Sequence, residues 1–164
     1  MYSIWRAMTL GVVVTLGIVL GAGIKRVSAQ ASAERIGTWK LNVAKSKYNP
    51  GPAPQSGTLK IEAAGQGEKV TTEGVNAAGT ATGIQYTANY DGKDNPLTGS
   101  QNADTVSLKR IDARTIERTD KKGDKVVLTQ TQVISPDGKT MTATVKGTNA
   151  QGQAVENVVV WEKQ

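Results

Sequence analysis

Few side chains in this sequence could do chemistry. Arg110 and Arg118 lie in strand-like runs among apolar neighbours, Trp161 lies near the end, and the acids pick out no evident pair. With no histidine and no cysteine in 164 residues, the Ser-His-Asp and Cys-His constellations, the usual zinc sites and a histidine-ligated haem are excluded. Carboxylate acid-base chemistry would need acids gathered on one buried face. Glu117, Glu156 and Glu162 instead fall on the outward face of the registers derived below. The segment Asp91-Gly92-Lys93-Asp94-Asn95-Pro96-Leu97-Thr98-Gly99 lacks the alternating acids and distant glutamate of a calcium loop, so it reads as a turn with Asx hydrogen bonds. The expectation is a protein that is not an enzyme, with no metal and no cofactor. What the arginines can do is hold a polar or anionic group, provided they face an interior.

Whether they do depends on the strands that carry them. Residues 105–111, 115–119, 126–135, 140–146 and 154–162 are β-branched runs, and every break between them holds Gly, Asp, Asn or Pro. No run is spaced for an amphipathic helix. Pro136-Asp137-Gly138 has the chemistry of a three-residue hairpin loop. That loop would set Val133 opposite Met141, Thr131 opposite Ala143 and Thr129 opposite Val145. Carried backward through Lys121-Lys122-Gly123-Asp124, the same face holds Val127 beside Arg118, Leu108 beside Arg118 and Ile116 beside Arg110. Carried forward, it reaches Asn157, Val159 and Trp161. Gln130, Gln132, Thr142 and Thr144 would point outward with Leu128, Ile134, Val158 and Val160.

Earlier in the chain, residues 36–41, 57–63, 69–75 and 82–90 read as four more strands, the last with Ile84, Tyr86, Ala88 and Tyr90 on one face. Pro50-Gly51-Pro52-Ala53-Pro54 cannot be a helix or a central strand. The architecture expected over residues 36–164 is all-β, an antiparallel up-and-down β-barrel of about eight to ten strands. Residues 1–31 read as a hydrophobic signal helix: a basic start, an apolar stretch over 8–24 and small residues at Ser28-Ala29-Gln30-Ala31. A cleaved signal peptide is expected, with an uncleaved anchor as the alternative, since Lys25-Arg26 follow the apolar stretch. Residues 32–35 are a polar lead-in. The domain is then secreted or periplasmic, or anchored facing outside the cytoplasm, with membrane contact only through the N-terminal segment. The formal charge of +6 falls to +3 without Arg6, Lys25 and Arg26, and no basic run exceeds two residues, so no nucleic-acid partner is expected.

Gly37-Thr38-Trp39-Lys40-Leu41, the string of hairpins, and Val159-Val160-Trp161-Glu162-Lys163 resemble the calycin group, which includes lipocalins and fatty-acid-binding proteins. The likeness is greatest to exported bacterial lipocalin-like proteins of unassigned role, and it covers residues 36–163. It implies a barrel whose closed end is plugged by Trp39. Fatty-acid-binding proteins carry Arg-x-Tyr on the last strand, where this chain has Val159 and Trp161, and their paired lid helices are replaced here by the Pro-rich segment.

The function expected is binding of a small hydrophobic or amphipathic molecule inside the barrel. The ligand-binding residues would be Trp161, Val159, Asn157, Arg118, Arg110, Thr129, Thr131, Met141 and Tyr86. If Arg118 lies inside, its charge needs an acid, a carbonyl or an anionic ligand, and the proposed lining contains no acid. Arginines at the rim with their charge in water are the other outcome. The alternative function is a ligand-free structural or interaction domain of the cell envelope. Trp161→Ala, if the indole is fully enclosed, should cost about 3 to 5 kcal/mol.

Overall fold

A computed structural model describes residues 33–164. The signal or anchor expected over residues 1–31, and the first residue of the lead-in, lie outside the described residues. The remainder forms ten strands: β1 (Gly37–Leu41), β2 (Ser56–Ala64), β3 (Gly67–Val75), β4 (Ala81–Asn89), β5 (Asn95–Thr98), β6 (Thr105–Arg110), β7 (Thr115–Lys122), β8 (Lys125–Ile134), β9 (Thr140–Thr148) and β10 (Ala154–Lys163). Each strand pairs antiparallel with its sequence neighbours, and β1 pairs with β10, so the sheet closes into a barrel with no free edge. Among the described residues there is no helix.

Turn chemistry sets the ends of the strands. Gly123 and Asp124 alone link the facing pair Lys122 and Lys125, and Gly123 supplies the positive φ that so short a connection requires. The Asn76 side-chain oxygen accepts from the amides of Ala78 and Thr80, and that of Asn149 accepts from Gln151 and Gln153, closing the β3–β4 and β9–β10 hairpins with Asx bonds. Within strands the period of two is plain. On β7, Ile116, Arg118 and Asp120 are buried while Glu117 is exposed.

Several registers match the sequence reading. Leu108 faces Arg118, Arg110 faces Ile116, Met141 faces Trp161 and Val159 faces Ala143. β8 differs by one residue from its expected partner positions on β9: Ile134 faces Met141, Gln132 faces Ala143 and Gln130 faces Val145. The cause is the Pro136-Asp137-Gly138 turn, which includes Lys139 as a fourth loop residue. Ser135 Oγ donates to Asp137 and accepts from the Thr140 amide, and Asp137 accepts from the Lys139 amide, so side chains hold the wider loop. A one-residue slip exchanges the two faces of a strand. Thr129, Thr131 and Val133 therefore point to solvent, whereas Gln130, Gln132, Leu128 and Ile134 point inward.

On the β7 side of β8 the register shifts between Asp120 and Lys121, so Arg118 faces Gln130, not Val127. The extra residue of this bulge is Val127, which is also buried. Opposite it, Gly147 tolerates the bulged backbone only because it has no side chain, since a Cβ there would overlap the Val127 carbonyl. Residues 95–98, read as part of a turn, form β5, which bridges β4 through Leu97–Tyr86 and β6 through Asn95–Val106. Val158 and Val160 do lie outside, but residues 42–47 run back along β10 and cover them. Asn42 donates its amide to the Val160 carbonyl, Lys47 pairs with Val158, and Ser46 Oγ accepts from the Val160 amide.

Candidate functional site: an open cavity at one end of the barrel

The interior is filled at one end and hollow at the other. At the filled end Trp39, Ile61, Val70, Ile134 and Met141 are almost wholly enclosed. The lead-in residue Arg35, 1% exposed, reaches in among them. Its guanidinium donates from Nε and Nη2 to the two carboxylate oxygens of Glu68 at 2.9 and 3.0 Å, and from Nη2 to Gln132 Oε1 at 3.0 Å. The Tyr90 hydroxyl donates to the same Glu68 carboxylate, and Trp39 Nε1 donates to the Arg35 carbonyl at 3.0 Å. Burial alone would lower the Arg35 pKa, but Glu68 more than reverses this, so the guanidinium stays charged. Sequence reasoning missed the pair because its members are 33 positions apart and Glu68 precedes the run taken as the strand.

At the other end lies an open cavity of about 380 Å³. Glycines on β2 and β3 form part of its lining. The inward positions of these strands carry Leu59 and Ile61, or Val70, toward the filled end, but Gly57 and Gly74 toward the open end. These two glycines are register partners, and the Leu41 and Trp161 side chains take up the space that a Cβ on Gly57 would need, at 3.3 Å. Leu41, Ile84, Leu128, Val145, Val159 and Trp161 supply apolar wall, and Tyr48 and Pro54, flanking residues 49–53, close one side of the mouth. A smaller void of about 50 Å³ continues toward the filled end, lined by Arg35, Thr72, Tyr86, Gln130 and Gln132.

Arg118 stands where the two spaces meet and lines both. Its Nε and Nη2 donate to the two oxygens of Asp120 at 2.7 and 2.8 Å, and its guanidinium lies 4.8 Å from the centre of the Tyr86 ring. Burial would lower the Arg118 pKa, yet Tyr86 and Asp120 together raise it above its ordinary value, so the group stays charged. Burial pushes the Tyr86 hydroxyl up to about 12, which keeps it neutral at physiological pH.

Of the residues expected to bind a ligand, Trp161, Val159 and Arg118 line the cavity, and Tyr86 and Met141 line the void beneath it. Asn157 shares the face but is used otherwise: its Oδ1 accepts from the Asn49 amide and tethers the Pro-rich segment. Arg110, partly buried at the end of β6, lines neither the cavity nor the void and has its guanidinium 4.1 Å from the centre of the Tyr90 ring. Thr129 and Thr131 are exposed on the outer face and line neither the cavity nor the void, the consequence of the β8 register. The expectation that Arg118 lacks an acid is also corrected. Asp120, two residues on, shares its face and pairs with it, a signal present in the spacing but hidden by ending the strand at Thr119. Gln130 and Gln132 were missed through the same slip.

Trp161 is only partly buried, because one side of its indole faces the cavity. Truncation therefore removes fewer contacts than a closed core would lose, and Trp161→Ala is expected to cost about 1 to 3 kcal/mol. Urea unfolding checks this against Trp39, which is fully enclosed. No family model and no curated protein matches the chain.

Proposed function

We propose that this protein is a small-molecule binding barrel that takes an amphipathic ligand, apolar body and polar head, through the open end. The observation that carries this reading is the cavity itself: about 380 Å³ with largely apolar walls and one charged pair within. Pockets for small ligands span roughly 300 to 1,000 Å³ and combine such walls with a few fixed polar groups. Burying Arg118 and Asp120 beside an unfilled space costs stability unless the site is used, since apolar residues of similar volume usually do at least as well in a core. The calycin-like reading agrees with this: the barrel is closed and up-and-down, and Trp39 of the Gly-x-Trp sequence sits at its filled end. The pattern of residues 1–31 supports export, so the ligand would be met outside the cytoplasm.

The test is a fluorescence titration with N-phenyl-1-naphthylamine, an uncharged probe small enough for the cavity. Saturable one-to-one binding is expected. Ala143 is buried and lines both the cavity and the void, so Ala143→Phe should fill the space and weaken binding about tenfold or more. The outward substitution Thr144→Phe on the same strand should leave it unchanged. Unsaturable binding, or equal affinity in the wild type and Ala143→Phe, would favour the ligand-free structural domain, which gel filtration would then examine for self-association.

A further inference from the structure

The geometry points to a ligand whose polar head is uncharged, such as an alcohol or carboxamide, and against the carboxylate or phosphate that an inward arginine would suggest. This inference rests on the cavity being a binding site. Three observations on the charges of its lining carry it.

First, Arg118 is already compensated. Both of its donating nitrogens nearest Asp120 are engaged at 2.7 and 2.8 Å, and both carboxylate oxygens are used. An anion approaching Arg118 would come within a few ångströms of Asp120, and the repulsion would cancel most of the attraction, because in a weakly screened interior both terms are of similar size.

Second, the acid comes first along the path inward. Asp120 lines only the wide cavity, whereas Arg118 lines the cavity and the void beyond it. Glu73 points to the outer face beside Thr58 and Thr71, so Arg118 and Asp120 are the charged pair of the lining. The two charges of the lining cancel, and an entering anion would meet Asp120 before it gained the full attraction of Arg118.

Third, the floor is built for neutral hydrogen bonding. Gln130, Gln132 and Thr72 line the void, and each offers both a donor and an acceptor. Gln132 Oε1 accepts from Arg35 at 3.0 Å and its Nε2 donates to Gln130 Oε1 only at the long distance of 3.3 Å. A hydroxyl or amide in the void could donate to an amide oxygen and accept from an amide nitrogen or the guanidinium. A carboxylate would bring acceptors alone, and an ammonium donors alone.

Displacement of N-phenyl-1-naphthylamine from the purified protein at pH 7 tests this with four probes of one chain length: octanol, octanamide, octanoate and octylammonium. Octanol and octanamide should displace the dye at concentrations about tenfold or more below octanoate and octylammonium, the ratio expected when one or two buried hydrogen bonds are matched or left unmade. Asp120→Asn removes the compensating charge and should reverse the order, with octanoate gaining about tenfold or more over octanamide. Should that variant fail to fold, Arg118→Met combined with Asp120→Leu removes the pair together. In it octanamide should keep its advantage over octanoate, because Gln130, Gln132 and Thr72 remain and no cation is left for the carboxylate, and the dye should still bind. Octanoate or octylammonium equalling the neutral probes on the wild type overturns the inference and leaves the cavity reading standing, and so does failure of all four to displace a dye that binds. Failure of the dye itself to bind saturably overturns both.

Discussion

Glu68→Ala should destabilise the barrel by about 3 to 5 kcal/mol, the range for breaking a buried ion pair by removing one partner. The carboxylate is fully enclosed, and it accepts from Arg35 twice and from the Tyr90 hydroxyl. Without it the Arg35 guanidinium keeps only Gln132 Oε1 and a 3.7 Å contact to Met141 Sδ, too little to offset the loss of water around a full charge. Urea unfolding should show a lower midpoint at an unchanged slope. Arg35→Met combined with Glu68→Leu removes both charges and should recover most of the loss, because two apolar side chains can replace a buried pair at little cost. A Glu68→Ala midpoint within experimental scatter of the wild type would mean that Arg35 has left the barrel. The lead-in segment would then not close the filled end.

Trp39→Ala should cost a similar amount, about 3 to 5 kcal/mol, for a different reason: a large void in a closed core. Trp39 is 0% exposed, holds the Arg35 carbonyl through Nε1 at 3.0 Å, and lies 5.2 Å beneath the Lys163 ammonium. One substitution therefore loosens β1, the lead-in and the end of β10 together. Thermal melts followed by circular dichroism should show a fall of roughly 10 to 20 °C for a domain of this size. Because Trp39 and the cavity are at opposite ends, the variant held well below its melting temperature should bind N-phenyl-1-naphthylamine as the wild type does. Loss of binding in a folded Trp39→Ala protein would show that the two ends are coupled, contrary to the separation described above.

The two charged pairs differ in how far they could be foreseen. Arg118 and Asp120 are two residues apart on one strand, and the strand period alone puts them on the same face. Only the placement of a turn hid the acid. Arg35 and Glu68 have no local relation at all. They meet because a residue two positions before β1 and the second residue of β3 arrive at the same end of a closed sheet. Nothing in either local sequence marks the partner.

The sequence by itself determined the class of structure, since β-branched runs broken by Gly, Asp, Asn and Pro permit hairpins and little else, and it determined the β6–β7 and β9–β10 registers, where the facing pairs agree with the breaks. Tertiary structure decided the β8 face. There the Ser135 and Asp137 side chains add a residue to a loop whose backbone signal suggested three, and a slip of one reverses every side chain. It also decided that the barrel is hollow at one end. Gly57 and Gly74 are unremarkable on their own strands. The ladder sets one opposite the other and brings Leu41 and Trp161 against them, because an interior is filled or empty according to which inward positions come level around the barrel, and that is a property of the closed sheet and not of any one run.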